Sequence, residues 1–236
     1  IRANPCHPWP KSLLSHPMPD KRPILDTIPL ATARRFYDRL GARHDLGGRS
    51  ERAAKELALA QLAAAPGERV LNVGAGTGKE QRLLQDAVGA TGRACAVDIS
   101  RTMLRLTRSR APRALLCEAQ AQALPFAARS FDRLLSTYVL DLIPLTDIPR
   151  ILAECRRVLR PGGRLVLVSL TEGVNLPSRL VVGLWKTAYA VHPLACGGCR
   201  PLQLTPLLQD AGFTVQQRQV LVQLGVPSEI ITAERP

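Results

Sequence analysis

Aromatic side chains are scarce: they make up 4% of the 236 residues. Proteins that grip single-stranded nucleic acid stack bases on exposed rings, and so few rings leave no such platform. Lysine is scarce too. Only Lys11, Lys21, Lys55, Lys79 and Lys186 occur, so the formal charge of +13 rests on arginine. The arginines are dispersed, with short pairs such as Arg34-Arg35 and Arg156-Arg157. That pattern reads as a solvated basic surface without specific nucleic-acid binding. Peripheral contact with an anionic membrane is the one partnership the charge itself suggests. No run reaches the ~20 apolar residues of a transmembrane helix. The segment Ile1 to Pro23 lacks the apolar core of a signal peptide and carries Pro5, Pro8, Pro10, Pro17, Pro19 and Pro23. Residues 1–24 are therefore expected to be a disordered, proline-rich lead. Three of the six cysteines, Cys95, Cys117 and Cys155, fall in apolar strands or a helix. They read as free, buried thiols in a cytoplasmic protein.

What is present is a chain that folds. Hydrophobic residues make up 46%, enough for one sizeable core. Residues 25–65 show helical spacing: Ala33, Phe36, Tyr37 and Leu40, a break at Gly41, then a second helix beginning at Ser50. Short apolar runs then alternate with helical stretches. The runs are Arg69–Val73, Arg93–Val97, Ala114–Cys117, Asp132–Thr137 and Arg164–Leu170. Such alternation implies a parallel sheet with right-handed crossovers. Thr205-Pro206 is expected to open a late helix that Gly212 closes. Two strand-like segments, Phe213–Val222 and Ser228–Glu234, flank a turn at Gly225–Ser228 and predict an antiparallel hairpin. The expected fold is α/β: a doubly wound, Rossmann-like, seven-stranded sheet, mostly parallel, with helices on both faces. We expect a single domain over residues 25–236. It divides into a helical cap (25–65), a core (66–170), an insertion (171–204), and a last helix with the hairpin (205–236).

The strongest chemical signal is Val70-Leu-Asn-Val-Gly-Ala-Gly-Thr-Gly-Lys79, a strand running through glycines into a helix. Such a turn lets a ligand approach the backbone, and the helix start offers free N–H groups. A phosphate-binding P-loop needs glycine where Val73 stands and Ser or Thr where Glu80 stands. A dinucleotide-binding turn needs glycine where Lys79 stands, which argues against a nicotinamide-dependent oxidoreductase. The spacing here is Gly74, Gly76, Gly78. Asp98 closes the second strand, 20 residues after Gly78, where a carboxylate can accept the ribose hydroxyls of an adenosine.

Further motifs recur in a fixed order: Phe36-Tyr-Asp38, Gly67-Glu-Arg-Val-Leu71 with Gly74–Gly78, Val97-Asp-Ile-Ser100 with Met103-Leu104, and Ala123-Leu-Pro-Phe126. Ser130-Phe-Asp132, Leu159-Arg-Pro-Gly-Gly-Arg164 and Ala211-Gly-Phe213 follow. Over Phe36–Ala233 the chain resembles class I S-adenosylmethionine-dependent methyltransferases of the ubiquinone/menaquinone-biosynthesis-like (type 11) branch. The resemblance implies S-adenosylmethionine as cofactor. It implies that Gly74, Ala75, Gly76, Thr77 and Gly78 cradle its amino-acid end, that Asp98 holds the ribose, and that Ile99 lies against the adenine. Gln120, followed by Ala121, stands where relatives carry an acid for the adenine amino group. Gln accepts there through its carbonyl, without charge. Asn72 likewise replaces a common acid.

Methyl transfer asks the protein to hold a nucleophile in line and exclude water; a base is optional. Candidates lie on loops after the strands. Thr137 is assigned to the cofactor. Asp141 is the candidate base, with a helix-start acid as the equal alternative. Tyr37, Tyr138 and Trp185 are candidate substrate contacts, Tyr37 being as readily core packing. His44 reads as a surface histidine. His192, Cys196 and Cys199 supply three thiol or imidazole groups where structural zinc wants four, so no metal is expected. An RNA-directed methyltransferase fits the basic charge, but it would be expected to carry an added RNA-binding module or an Asn/Asp-Pro-Pro-Tyr type loop, and Ser136-Thr-Tyr-Val139 is not one. The expected function is methyl transfer to a small molecule, quinone-like or lipid. The alternative is a non-catalytic binding or scaffold protein of the same fold.

Overall fold

A computed structural model describes residues 27–236. The proline-rich lead expected over residues 1–24 lies outside the described residues. The apolar runs become seven strands: β1 (Arg69–Val73), β2 (Arg93–Asp98), β3 (Leu115–Glu118), β4 (Phe131–Thr137), β5 (Leu159–Leu170), β6 (Thr214–Gln223) and β7 (Val226–Glu234). They lie in the order β3-β2-β1-β4-β5-β7-β6. Neighbours β3 through β5 are parallel, and β7 runs antiparallel to both β5 and β6. The strand order reverses at β1 and β4. In open α/β sheets the crevice outside the carboxyl ends at that point takes the ligand.

Among the described residues eight α-helices accompany the strands: α1 (Leu30–Leu40), α2 (His44–Gly47), α3 (Arg52–Leu62), α4 (Lys79–Val88), α5 (Arg101–Arg110), α6 (Ile148–Val158), α7 (Leu176–Val191) and α8 (Leu204–Asp210). One face of the sheet buries Ala54, Ala58 and Leu62 of α3 with Leu84 and Val88 of α4. The other face buries Ile151, Leu152 and Cys155 of α6 with Leu204 and Leu208 of α8. Central β5 is covered on both sides, so Leu165, Val166, Leu167 and Val168 are all buried. Each such side chain contributes roughly 1.5–3 kcal/mol.

Several helix ends are set by side chains. Ser100 caps α5, its Oγ accepting from Met103 N–H at 3.1 Å. Asn175 and Ser178 form a reciprocal capping box on α7. The start of α8 differs from expectation. Leu204 is already helical, and Thr205 is not the cap. The Leu204 N–H instead donates to Glu229 Oε2 of β7 at 3.0 Å, so the sheet supplies the cap.

Other boundaries shift for identifiable reasons. Ser50 lies in a short turn, and α3 starts at Arg52. The hairpin turn is Leu224-Gly225, both with positive φ (53° and 80°), because Gln223 already pairs with Val226. Two-residue turns of that hand match strand twist. Cys95 and Cys155 are buried, but Cys117 is half-buried because β3 is an edge strand.

Candidate functional site

A cavity of about 560 Å³ opens at the carboxyl ends of β1, β2 and β4, within the ~300–1,000 Å³ of small-molecule sites. Its floor is the glycine turn. At Gly76 the backbone takes φ +53°, and an added Cβ would meet nothing within 4 Å. That position is open toward the cavity. Gly78 is different: an added Cβ would sit 2.6 Å from the Thr107 backbone. Gly78 lets α4 lie against α5, and it does not line the cavity.

Asp98 closes the turn from the side. Its Oδ2 accepts from Gly76 N–H at 2.9 Å and its Oδ1 from Ser100 N–H at 2.9 Å. Burial pushes its carboxyl above the ordinary aspartate range, against the pull of these N–H donors. Thr77 donates through Oγ1 to Asp45 Oδ1 at 2.7 Å. Asp45 also meets Arg110 at 2.7 Å and Lys79 at 3.3 Å. Asp38 of α1 accepts from Ser100 Oγ at 2.6 Å. The segment 30–50 is thereby pinned across the crevice as its roof.

A second chamber of about 250 Å³ adjoins the first. Phe36, Leu40, Leu170, Trp185 and Val226 line it, and Tyr37, His44, Glu51, Tyr138 and Cys199 line both spaces. Tyr138 is held at φ +55°, costly for a bulky residue. Its hydroxyl pairs with Ser228 Oγ at 2.6 Å. Lys55 Nζ lies 5.5 Å from the centre of its ring and 2.9 Å from Glu51.

Residues 71–167 match the family model described as a methyltransferase domain. The chain is 37% identical, over 127 residues, to a ubiquinone/menaquinone biosynthesis C-methyltransferase of Burkholderia vietnamiensis, covering 51% of each. It is 35% identical, over 206 residues, to an uncharacterized 37.1 kDa protein in transposon Tn4556 of Streptomyces fradiae, covering 84% of this chain and 53% of that one. Residues 71–167 thus carry a methyltransferase domain of the class I, S-adenosylmethionine-dependent type. It spans about half the length of the curated relatives it matches.

Solved structures share the fold. A geranyl diphosphate methyltransferase in complex with GPP and sinefungin superimposes on the methyltransferase fold with TM-score 0.69 at 16% identity, covering 87% of this chain and 98% of that one. The putative methyltransferase solved with the Haloferax volcanii Trm112 activator also gives 0.69, at 19% identity, covering 86% and 97%.

The methyltransferase fold brings most of the sequence candidates together. Gly74, Ala75, Gly76, Thr77, Asp98, Ile99, Ala121, Thr137, Tyr37 and Tyr138 all line the larger cavity. Gln120 does not. Ala123 N–H donates to the Gln120 carbonyl in a tight turn, which leaves the Gln120 side chain exposed and presents Gln122 instead. Trp185 reaches only the second chamber, its indole N–H donating to the Cys199 carbonyl at 2.8 Å.

Asp141 is fully buried and lines neither space. Its Oδ2 accepts from Leu170 N–H at 2.8 Å. Its carboxyl is turned into the core, beside the backbone of Leu170 and the Arg200 guanidinium. The sequence reading passed over Asp45, Glu51, Lys55 and Glu80; it took His44 for a surface histidine, which is half-buried against the cavity, and weighed Cys199 only as a metal ligand. Only the Glu51–Lys55 spacing, four apart on one helix face, carried a local signal.

Proposed function

We propose that the chain transfers a methyl group from S-adenosylmethionine to an apolar, ring-bearing small molecule of the quinone type. The observation that carries this reading is the pair of adjoining spaces: a larger one over the glycine turn, edged by Asp98, Glu51, Lys55 and Glu80, and a smaller one beside it, lined by Phe36, Tyr37, Tyr138 and Trp185. When bound, S-adenosylmethionine supplies an electrophilic methyl group and leaves as neutral S-adenosylhomocysteine.

In this reading the backbone around Gly74, Ala75, Gly76 and Thr77 receives the amino-acid end of the cofactor. Asp98 accepts the ribose hydroxyls, exchanging its bond from Gly76 for them. Ile99, Ala121 and Gln122 flank the adenine, and Thr137 borders the reacting centre. Phe36, Tyr37, Tyr138 and Trp185 hold the acceptor ring and keep water out. The insertion 171–204 builds the acceptor side, and residues 27–65 form the roof.

Calorimetry with S-adenosylhomocysteine tests the first half. Tight binding by the wild type and a loss of at least about tenfold in Asp98→Ala are expected, since charge-assisted bonds are worth ~1.5–3 kcal/mol. Absence of binding by the wild type rejects the reading. Transfer of labelled methyl to 1,4-dihydroxynaphthalene, a simple quinol, tests the second half. Cofactor binding without transfer to this or to any component of a cell extract points instead to a non-catalytic scaffold.

A further inference from the structure

Six residues border both chambers: Tyr37, His44, Gly48, Glu51, Tyr138 and Cys199. Any acceptor reaching from the aromatic chamber toward the glycine turn must pass them. Four of these residues are ill suited to take a proton there. The Tyr37 hydroxyl donates to the Gly197 carbonyl at 3.2 Å, and the Tyr138 hydroxyl is tied to Ser228. Burial pushes both phenols and the Cys199 thiol up, so all three hold their protons at neutral pH. Glu51 is engaged by the Lys55 ammonium at 2.9 Å.

His44 remains. It is half-buried, and its ring centre lies 5.9 Å from that of Tyr37 at a 53° tilt. Among the described residues no hydrogen bond engages either ring nitrogen. The groups facing it are Tyr37 from α1, its neighbour Asp45, Glu51 just before α3, Lys55 from α3, Glu80 from α4, and Cys199 from the loop after α7. Burial first, and Lys55 second, hold its imidazole below the ordinary histidine range, against Glu51, Asp45 and Glu80. It is thus a neutral imidazole at pH 7.

Resting on the methyltransferase reading above, we infer that His44 is the proton acceptor for a hydroxyl on the acceptor ring. The hydroxyl proton passes to an imidazole nitrogen. The electron pair freed on the oxyanion, or on the ring carbon conjugated with it, forms the bond to the methyl carbon. The carbon–sulfur bond breaks with its electrons on sulfur, and the imidazolium returns its proton to solvent after the product leaves. His44 is a catalytic residue in this account; burial and the Lys55 ammonium keep it neutral at rest, while Glu51 and Glu80 favour the imidazolium once it forms.

The test uses the full chain with S-adenosylmethionine and 1,4-dihydroxynaphthalene, reading labelled-methyl transfer across acid to alkaline pH. In wild type, kcat is expected to fall on the acid side, where His44 takes a proton, and to hold steady through neutral pH. In His44→Gln and His44→Asn, kcat at pH 7 should drop at least about tenfold and the acid limb should vanish, the rate rising instead as the quinol itself ionises. S-adenosylhomocysteine affinity, measured in parallel by calorimetry, should stay within about threefold of wild type in both variants, which also reports that they fold. Equal kcat and the same acid limb in wild type and both variants overturn the inference. So does a wild type that binds S-adenosylhomocysteine but transfers no methyl to the quinol. A wild type that fails to bind S-adenosylhomocysteine brings down the methyltransferase reading and this inference with it.

Discussion

A fully buried carboxyl group is expensive unless its environment answers for it. Asp141 has the Leu170 N–H at 2.8 Å and the charge of buried Arg200 near it. Arg200 is itself 0% exposed and donates to the Ile143 carbonyl. Burial still wins, pushing the Asp141 carboxyl up to about 7. In the unfolded chain it titrates near ~4. Between those values the folded protein holds a proton that the unfolded chain has released. Stability therefore falls as pH rises from about 4 to about 7, by at most ~1.4 kcal/mol per unit. Asp141→Asn keeps the oxygen that accepts from Leu170 and removes the titration. Urea midpoints measured across that range should flatten in the variant, and an unchanged slope would refute the assignment. The sequence hides this because an acid after a strand looks like a site residue. Val139, Leu140, Leu142 and Ile143 around it were the sign that the turn dives inward. Gln120 teaches the converse: its residue type suited the adenine, but turn geometry decided which side chain faced the cavity.

At the level of elements, the strands were legible because burial on both faces leaves nearly continuous apolar runs. The glycine turn and Asp98 were legible because strand–turn–helix spacing has few alternatives. The roof was not. Residues 41–50 form short irregular turns whose positions depend on distant partners, Thr77, Lys79 and Arg110. Asp45 joins all three, and Arg110 also donates to the Thr77 carbonyl at 2.8 Å. One carboxylate thus fastens the roof to the turn beneath it. Asp45→Ala should loosen residues 30–50 without unfolding the sheet, since partly buried charged bonds contribute ~1.5–3 kcal/mol. Amide hydrogen exchange over α1 should quicken at least about tenfold, while β4 and β5 stay protected. S-adenosylhomocysteine should dissociate faster from the variant. Equal exchange in both proteins would show that Asp45 does not hold the roof.

For the whole molecule, stability and ligand binding share one structure. The larger cavity takes its walls from α1, α3, the glycine turn, β2, the loop after β4 and Cys199, segments up to 169 residues apart in the chain. None of those walls exists in the unfolded chain, so a ligand of this cavity binds only the folded state and stabilises it by mass action. At a hundred times its dissociation constant, S-adenosylhomocysteine should add ~2.7 kcal/mol. A domain of this size gains roughly 2–4 °C per kcal/mol, which predicts a melting shift on the order of 5–11 °C. NADH should produce none, because Lys79 stands where close helix packing on a dinucleotide needs glycine. Asp98→Ala should lose most of the shift and keep its unliganded melting point within a few degrees. The Gly78 contact with α5 gives the control of opposite kind: Gly78→Ala forces a Cβ against the Thr107 backbone and should lower the unliganded melting point itself. If Asp98→Ala instead melted early and kept the full ligand shift, Asp98 would belong to the scaffold and the cofactor would have to be anchored elsewhere.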